Sequence, residues 1–242
     1  MKSDFILDQI MNSGVKGEVF IRLKTDEQLP LKAGQLWFGV YDPLEELLPT
    51  GLYTAMDEQG EWYLAGAVPA GWQTGIRLTI QGPVGSGFNL PPAARRVVCV
   101  SLDERAHYLM PVMLQALALG AEVVFAGEQN PLRLPELVEV FGLERWEEWW
   151  DWADYIAVQG SLPAAAAFFQ KIDRQKLSGI KRAIAEVLIR QSVFCGGMAE
   201  CGVCAVPLRR GRSLICRHGP VFDAFQVDWL ADGLQESGGE PY

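Results

Sequence analysis

The chain has 242 residues, of which 49% are hydrophobic, and its formal net charge is −9. This length is enough for one large folded core or two modest ones. The acidic balance argues against a nucleic-acid partner, because neutralising phosphates requires clustered Lys and Arg.

The first residues, Met1-Lys2-Ser3-Asp4-Phe5, are followed by no apolar core of the roughly 7–15 residues that a secretory signal requires. No window approaches the roughly 18 uncharged apolar residues of a membrane span. We therefore expect a cytoplasmic protein, in which clustered cysteines are metal ligands or redox groups more often than disulfides.

Residues 1–92 predict a small antiparallel β-barrel. Short apolar stretches recur and are separated by turns that contain Gly or Pro, a spacing typical of all-β barrels and sandwiches. The predicted strands include residues 19–23, 36–41, 62–65 and 77–80.

Residues 93–190 predict a Rossmann-like α/β domain with a parallel sheet. Strands are expected at 97–100, 122–126 and 155–158, and helices at 108–119, 134–141, 145–153 and 163–173. Strands that alternate with helices are typical of βαβ units. Cys99 falls in the first of these strands and is expected to be a core thiol.

Four of the five cysteines lie in the C-terminal segment, residues 191–242, with the spacing C-x5-C-x2-C-x11-C: Cys195, Cys201, Cys204 and Cys216. This spacing is close to the C-x4-C-x2-C pattern of plant-type [2Fe–2S] proteins. The glycines between the cysteines give the backbone the freedom to wrap around a cluster. A structural zinc site is the alternative, using the same four cysteines or three of them with His218.

The order of barrel, α/β domain and cysteine segment resembles the ferredoxin-reductase-like electron-transfer subunit of class 1B dihydroorotate dehydrogenase. The strings that carry the resemblance are Ala33-Gly34-Gln35, residues 82–90, residues 158–163, and residues 195–204 together with Cys216-Arg217-His218-Gly219-Pro220-Val221-Phe222. The resemblance implies that the chain passes electrons to or from a flavoprotein dehydrogenase and that the two form a hetero-oligomer. It also implies a role in pyrimidine biosynthesis.

The resemblance also implies FAD in the barrel and a pyridine nucleotide on the α/β domain. The family's flavin string, Arg-x-Tyr-Ser/Thr, has its counterpart in Tyr53 and Thr54, which are the candidate FAD-binding residues. Gly51 stands where the family has the arginine. Ordinary strand residues are the alternative interpretation of Tyr53 and Thr54.

The turn after Val100 contains none of the glycines by which a dinucleotide approaches the backbone. Asp103 and Glu104 within it would repel a pyrophosphate, so the sequence predicts no NAD(H) binding here. His107 follows, and we interpret it as a polar turn residue rather than a base, because the sequence places no acid beside it. No other residue is a catalytic candidate.

The tryptophan-rich stretch around 146–155 predicts a helix on which Trp146, Trp149, Trp150 and Ala153 share one face. Such a face belongs to the core more often than to a binding surface, and Trp152 lies off it. Two hypotheses follow for the whole chain. It is an electron-transfer subunit, or it is a structural or assembly subunit with a four-cysteine zinc site and no flavin or nucleotide.

Overall fold

The computed structural model describes residues 2–25, 29–41, 48–127, 133–172, 183–191 and 195–231. The N-terminal part is a closed barrel of antiparallel strands, in the order β1-β2-β5-β4-β3-β6. This confirms the predicted barrel. The strands are β1 (Lys2–Asn12), β2 (Val19–Lys24), β3 (Leu36–Val40), β4 (Thr50–Met56), β5 (Trp62–Gly66) and β6 (Arg77–Val84).

Alternation along the strands fills the barrel with apolar side chains. Leu7, Trp37, Leu52 and Leu78 have no solvent exposure and belong to one cluster. Because successive side chains of a strand point to opposite faces, every second residue reaches this interior.

The second part is a sheet with helices, in the order β14-β11-β10-β7-β8-β9. All neighbouring strands are parallel except β11 and β14. The elements are β7 (Arg96–Ser101), α1 (Met110–Ala118), β8 (Glu122–Ala126), β9 (Val138–Phe141), α2 (Trp146–Trp152), β10 (Tyr155–Ser161), α3 (Leu162–Lys171), β11 (Ile184–Arg190), β12 (Ala205–Pro207), β13 (Arg212–Leu214), α4 (Ile215–His218) and β14 (Val221–Asp223).

The prediction of a helix at 134–141 is wrong. The chain instead forms β9, which pairs in parallel with β8 from Val123↔Val138 to Ala126↔Phe141. Leu137, Glu139 and Phe141 alternate with two valines, a period of two that suits a strand. Pairing with a neighbouring strand therefore outweighs the local helix preference of this segment.

The tryptophan helix α2 packs into the core as expected. Trp149 and Trp150 are buried, and the ring of Trp149 lies nearly parallel to that of Phe168 in α3, with centroids 6.2 Å apart. Trp146 and Trp152 are half-buried. None of the helices in the described ranges is long and apolar enough to cross a membrane.

The sheet changes direction at β7. From β7 the chain moves outward through β8 and β9, and it then returns to the other side of β7 through β10 and β11. In open α/β sheets the crevice at the carboxyl ends of the two strands on either side of such a reversal is the usual ligand site. Here this crevice lies beyond Ser101 and Ser161, the last residues of β7 and β10.

Candidate functional site

Side chains of this chain fill that crevice, which we call the switch-point crevice and define by Ser101, Asp103, Gln159 and Arg190. The amide of Gln159 donates to Oδ1 of Asp103 at 2.8 Å and accepts from Nε of Arg190 at 3.0 Å. Arg190 also forms an ion pair with Asp103. The polar groups at the strand ends therefore bind one another.

The barrel closes the crevice from the opposite side through Glu18, which is 7% exposed. Arg105 Nε and the hydroxyl of Tyr108 both donate to Glu18 Oε2 at 2.9 Å. Nε2 of His107 lies 2.7 Å from Glu18 Oε1. This buried carboxylate therefore links the barrel to the turn after β7.

The electrostatics follow from this packing. Burial raises the pKa of Glu18, but the hydrogen bond and charge of His107, with the charges of Arg105 and Arg190, outweigh it and lower that pKa to about 2. Burial lowers the pKa of His107, and Glu18 opposes this shift only in part. The sequence interpretation of His107 as a residue without a partner acid is thus wrong, because the acid comes from a distant barrel loop.

The two candidate FAD residues lie on β4, and their hydroxyls are already hydrogen-bonded within the protein. The Thr54 hydroxyl donates to the carbonyl of Lys32 at 2.6 Å and accepts from the N–H of Gln35 at 3.0 Å. The Tyr53 hydroxyl pairs with both backbone groups of Gln191 at 3.2 Å.

These residues do not fit a flavin or a dinucleotide. The hydroxyls at 53 and 54 are committed, and the two crevice arginines, Arg105 and Arg190, are paired with carboxylates. A pyrophosphate would have to displace Asp103 and Glu18 from these arginines and leave the carboxylates without their partners.

The second candidate site is the cysteine loop, residues 195–204. Gly196, Gly197, Ala199 and Gly202 all have positive φ, at +58°, +89°, +61° and +70°, so the backbone coils tightly between the cysteines. A Cβ on Gly196 would lie 2.4 Å from Cγ of Pro49, and one on Gly197 would lie 3.0 Å from Cε2 of Phe38 in β3. The glycines therefore let the loop pack directly on the barrel.

The fourth cysteine reaches this loop by way of the hairpin of β12 and β13. The hairpin pairs Ala205 with Leu214 and Pro207 with Arg212. The N–H of Ile215 then donates to the carbonyl of Cys204 at 3.0 Å, which sets Cys216 at the start of α4 beside the loop.

The other cysteines shift the pKa of Cys195 and of Cys216. Burial raises the pKa of Cys195, but hydrogen bonds from the thiol of Cys201 and from the N–H groups of Ala199, Cys201 and Glu200 lower it to about 6. Burial, together with hydrogen bonds to Cys204 and Cys195 and their charge, raises the pKa of Cys216 to about 12.

Among the residues that the structure describes, no group of three or more His, Cys, Asp or Glu side chains is placed so that it could hold a metal ion. Four cysteine sulfurs are soft donors of the type that iron–sulfur clusters use, and N–H groups of the loop lower the pKa of one of them, Cys195. His218 is exposed on α4, and Cys99 is fully buried in β7, as expected of a core thiol.

Residues 190–191 connect the two sites. Arg190 belongs to the switch-point crevice, and the neighbouring Gln191 donates from Nε2 to the carbonyl of Val203 in the cysteine loop at 3.1 Å. Tyr53, bound to the backbone of Gln191, packs edge-on against Tyr108 with centroids 5.8 Å apart. No local pattern in the sequence marks these contacts.

No protein-family model and no curated protein sequence matches this chain. It is similar in structure to an NADH-dependent reduced ferredoxin–NADP oxidoreductase, described for flavin-based electron bifurcation. The TM-score is 0.67 at 12% sequence identity, covering 93% of this chain and 90% of the other.

Two further solved structures are similar. One is the ferredoxin reductase in carbazole 1,9a-dioxygenase, with a TM-score of 0.56, 16% identity and coverage of 73% of this chain and 65% of that one. The other is a siderophore-interacting protein from Acinetobacter baumannii, with a TM-score of 0.52, 16% identity and coverage of 81% and 93%. The chain therefore has the ferredoxin-reductase-like fold.

Proposed function

We propose that this chain is an electron-transfer subunit that carries one [2Fe–2S] cluster on Cys195, Cys201, Cys204 and Cys216. The observation that supports the proposal is that the β12–β13 hairpin and the bond from the Ile215 N–H to the carbonyl of Cys204 bring Cys216 beside the other three cysteines. When bound, the cluster supplies one-electron chemistry, so the protein needs no general acid, base or nucleophile of its own.

The residues of the loop have two roles in this proposal. The N–H groups of Ala199, Glu200 and Cys201 donate to Cys195, and such donors stabilise negative charge on a ligating sulfur. The barrel residues Phe38 and Pro49 support the loop from below, so the ligands keep their positions.

The surface beside the loop suits contact with another protein. Cys201 is exposed, and Leu48, Met198 and Val203 are 53%, 68% and 48% exposed at or beside the loop. By the family resemblance we propose a flavoprotein dehydrogenase as the partner, the catalytic subunit of a dihydroorotate dehydrogenase, in the cytoplasm. Several structural neighbours are named as reductases, which is in keeping with a role in electron transfer.

Neither a flavin nor NADH is part of the proposed function. Tyr53 and Thr54 are the positions at which FAD would be expected, and their hydroxyls are bonded elsewhere. We therefore expect acid extracts of the purified protein to contain no stoichiometric flavin, and NADH alone to leave the visible spectrum unchanged.

The test is to purify the protein anaerobically, measure iron, acid-labile sulfide and zinc, and record its visible spectrum before and after dithionite. We expect a red-brown protein whose visible bands bleach on reduction, with iron and sulfide in equal amounts. A colourless protein with one zinc per chain would contradict the proposal and support the structural alternative.

A further inference from the structure

A positively charged hairpin begins directly after the cysteine loop. It consists of β12, β13, the turn between them and the short helix α4, residues 205–218, and we call it the basic arm. Four of the chain's 21 Lys and Arg residues lie in the basic arm, and none of its 30 Asp and Glu residues does. The four are Arg209, Arg210, Arg212 and Arg217. The basic arm therefore has the opposite charge to the rest of this acidic chain.

The strand pairing explains why the arginines face solvent. Pro207 lies opposite Arg212, and Val206 lies opposite Ser213. Opposite residues of an antiparallel pair share a face, and neighbours along a strand alternate between faces. Because Val206 is fully buried, Arg212 lies on the face that points away from the core. All four arginines of the basic arm are exposed.

The segment after β14 holds the basic arm in position. The N–H of Arg209 donates to the carbonyl of Gln226 at 2.8 Å, and the N–H of Asp228 donates to the carbonyl of Pro207 at 3.0 Å. These bonds fix the backbone on both sides of the turn. The places of the charges are thus set before a partner binds, which lowers the entropy cost of association.

The charges of the basic arm are not neutralised within the described part of the chain. None of its four guanidinium groups forms an ion pair with a residue in the described ranges. The arginines of the switch-point crevice differ, because Arg105 pairs with Glu18 and Arg190 with Asp103. Like charges that lie close together repel one another, and an anionic surface from outside the chain relieves this repulsion.

Exposed apolar side chains lie beside the basic arm. Met198 and Val203 of the cysteine loop are 68% and 48% exposed, and Val203 is two residues before β12. Cys201, between them in the chain, is also exposed. An apolar centre beside a charged rim is typical of protein–protein interfaces. The combination favours a protein as the anionic partner, because a nucleic acid would use only the charges.

We propose that the basic arm docks an acidic face of the protein that exchanges electrons with this chain. Carboxylates of the partner meet the four arginines, and an apolar part of its surface lies against Met198 and Val203. The inference rests on the proposed function and adds to it the charge of the partner's docking face. Charges at the rim of an interface speed association and orient the partner.

The test is a calorimetric titration of the full-length protein with two small haem proteins of opposite charge, the acidic cytochrome b5 and the basic cytochrome c. We expect cytochrome b5 to bind saturably. Raising the ionic strength from about 0.01 M to about 1 M shortens the screening length from about 30 Å to about 3 Å and should weaken this binding at least about tenfold. Cytochrome c serves as the probe for general damage to the protein.

Charge-reversed variants locate the binding. Arg210→Glu combined with Arg212→Glu should weaken binding of cytochrome b5 at least about tenfold and should not weaken binding of cytochrome c. The matched control, Arg77→Glu combined with Arg133→Glu, changes the net charge equally at side chains that are 72% and 80% exposed outside the basic arm. It should change binding of cytochrome b5 by less than about threefold. Arg210→Gln combined with Arg212→Gln carries the test if the glutamate variant fails to fold.

Equal weakening by the two glutamate double variants would assign the effect to net charge and overturn the proposal. The absence of saturable cytochrome b5 binding, tighter binding of a DNA duplex, or a dimer of this chain that reversal in the basic arm abolishes would each overturn it as well. Iron and zinc are measured on the same samples. A zinc protein that binds as expected contradicts the proposed electron transfer alone, and an iron–sulfur protein that fails to bind overturns the docking inference alone.

Discussion

The switch-point crevice and the cysteine loop are two places where this fold could hold a redox group. They differ in which groups their side chains bind. In the crevice, Asp103 and Glu18 neutralise Arg105 and Arg190, and the polar atoms are used within the protein. In the cysteine loop, the groups that lower the pKa of Cys195 are the thiol of Cys201 and backbone N–H groups of the loop itself. A fold provides the position of a site, and the side chains decide whether a ligand enters.

The two regions also differ in the contacts that hold them to the barrel. Five ionisable side chains bridge the barrel and the sheet at the crevice: Glu18, Asp103, Arg105, His107 and Arg190. We interpret this network as the connection that a bound nucleotide would otherwise make between the two parts. Among the described residues, none forms an ion pair with the cysteine loop, and Pro49, Phe38 and Gln191 contact it.

The largest effect is expected at the cysteine loop. If the protein carries the proposed cluster, Cys216→Ser should reduce the visible absorbance of anaerobically purified protein to less than about one tenth, because it removes one of the four proposed thiolate ligands. Cys99→Ala is the matched control and should keep the full absorbance, since Cys99 lies in the sheet core. Full absorbance in the Cys216→Ser protein would exclude Cys216 as a ligand.

The next effect tests the crevice. Glu18→Gln should lower the free energy of unfolding by about 1.5–3 kcal/mol, because it removes the buried charge that accepts hydrogen bonds from Arg105 and Tyr108 and leaves Arg105 with Asp103 alone. Urea unfolding measures this difference. Glu104→Gln, at an exposed position in the same turn, should change stability by less than about 0.5 kcal/mol. Equal effects of the two substitutions would show that the network does not connect the parts.

Acidification should weaken the crevice through the same residues. The pKa of Glu18 falls from 4.5 in the unfolded chain to about 2 in the folded protein, and burial lowers the pKa of His107 from 6.5. Both groups bind fewer protons when folded, so stability decreases as pH falls. The His107 part is lost below about pH 6.5 and the Glu18 part between about 4.5 and 2.

Urea unfolding at a series of pH values measures this dependence. In Glu18→Gln the decrease between about pH 4.5 and 2 should be smaller, because the titrating carboxylate is absent. An unchanged pH profile in that variant would assign the acid sensitivity to other groups.

The smallest loss of stability is expected at Tyr53, which binds Gln191 between the switch-point crevice and the cysteine loop. Tyr53→Phe removes the hydroxyl that bonds to the backbone of Gln191 and should cost about 1 kcal/mol of stability. Faster amide hydrogen exchange should appear at Gln191 and Val203, while the crevice keeps its protection. Uniform loss of protection throughout the chain would contradict a local connection through Tyr53.

The sequence predicted the elements that local patterns encode. Alternating apolar residues and turns indicated the barrel, and the helices near 108–119, 145–153 and 163–173 were found as α1, α2 and α3. The segment 134–141 was misassigned because its strand exists only through pairing with β8. The acid beside His107 was missed for a similar reason, since Glu18 lies in another part of the fold.

By itself the sequence determined the barrel, the parallel sheet and the four cysteines whose spacing suggests a cluster, because periodicity and spacing are local properties. Only the tertiary structure decided that Arg190 and Asp103 fill the crevice and that the hydroxyls of Tyr53 and Thr54 are bonded within the protein. Each of these depends on side chains that are distant in the chain, and folding alone brings them within bonding distance.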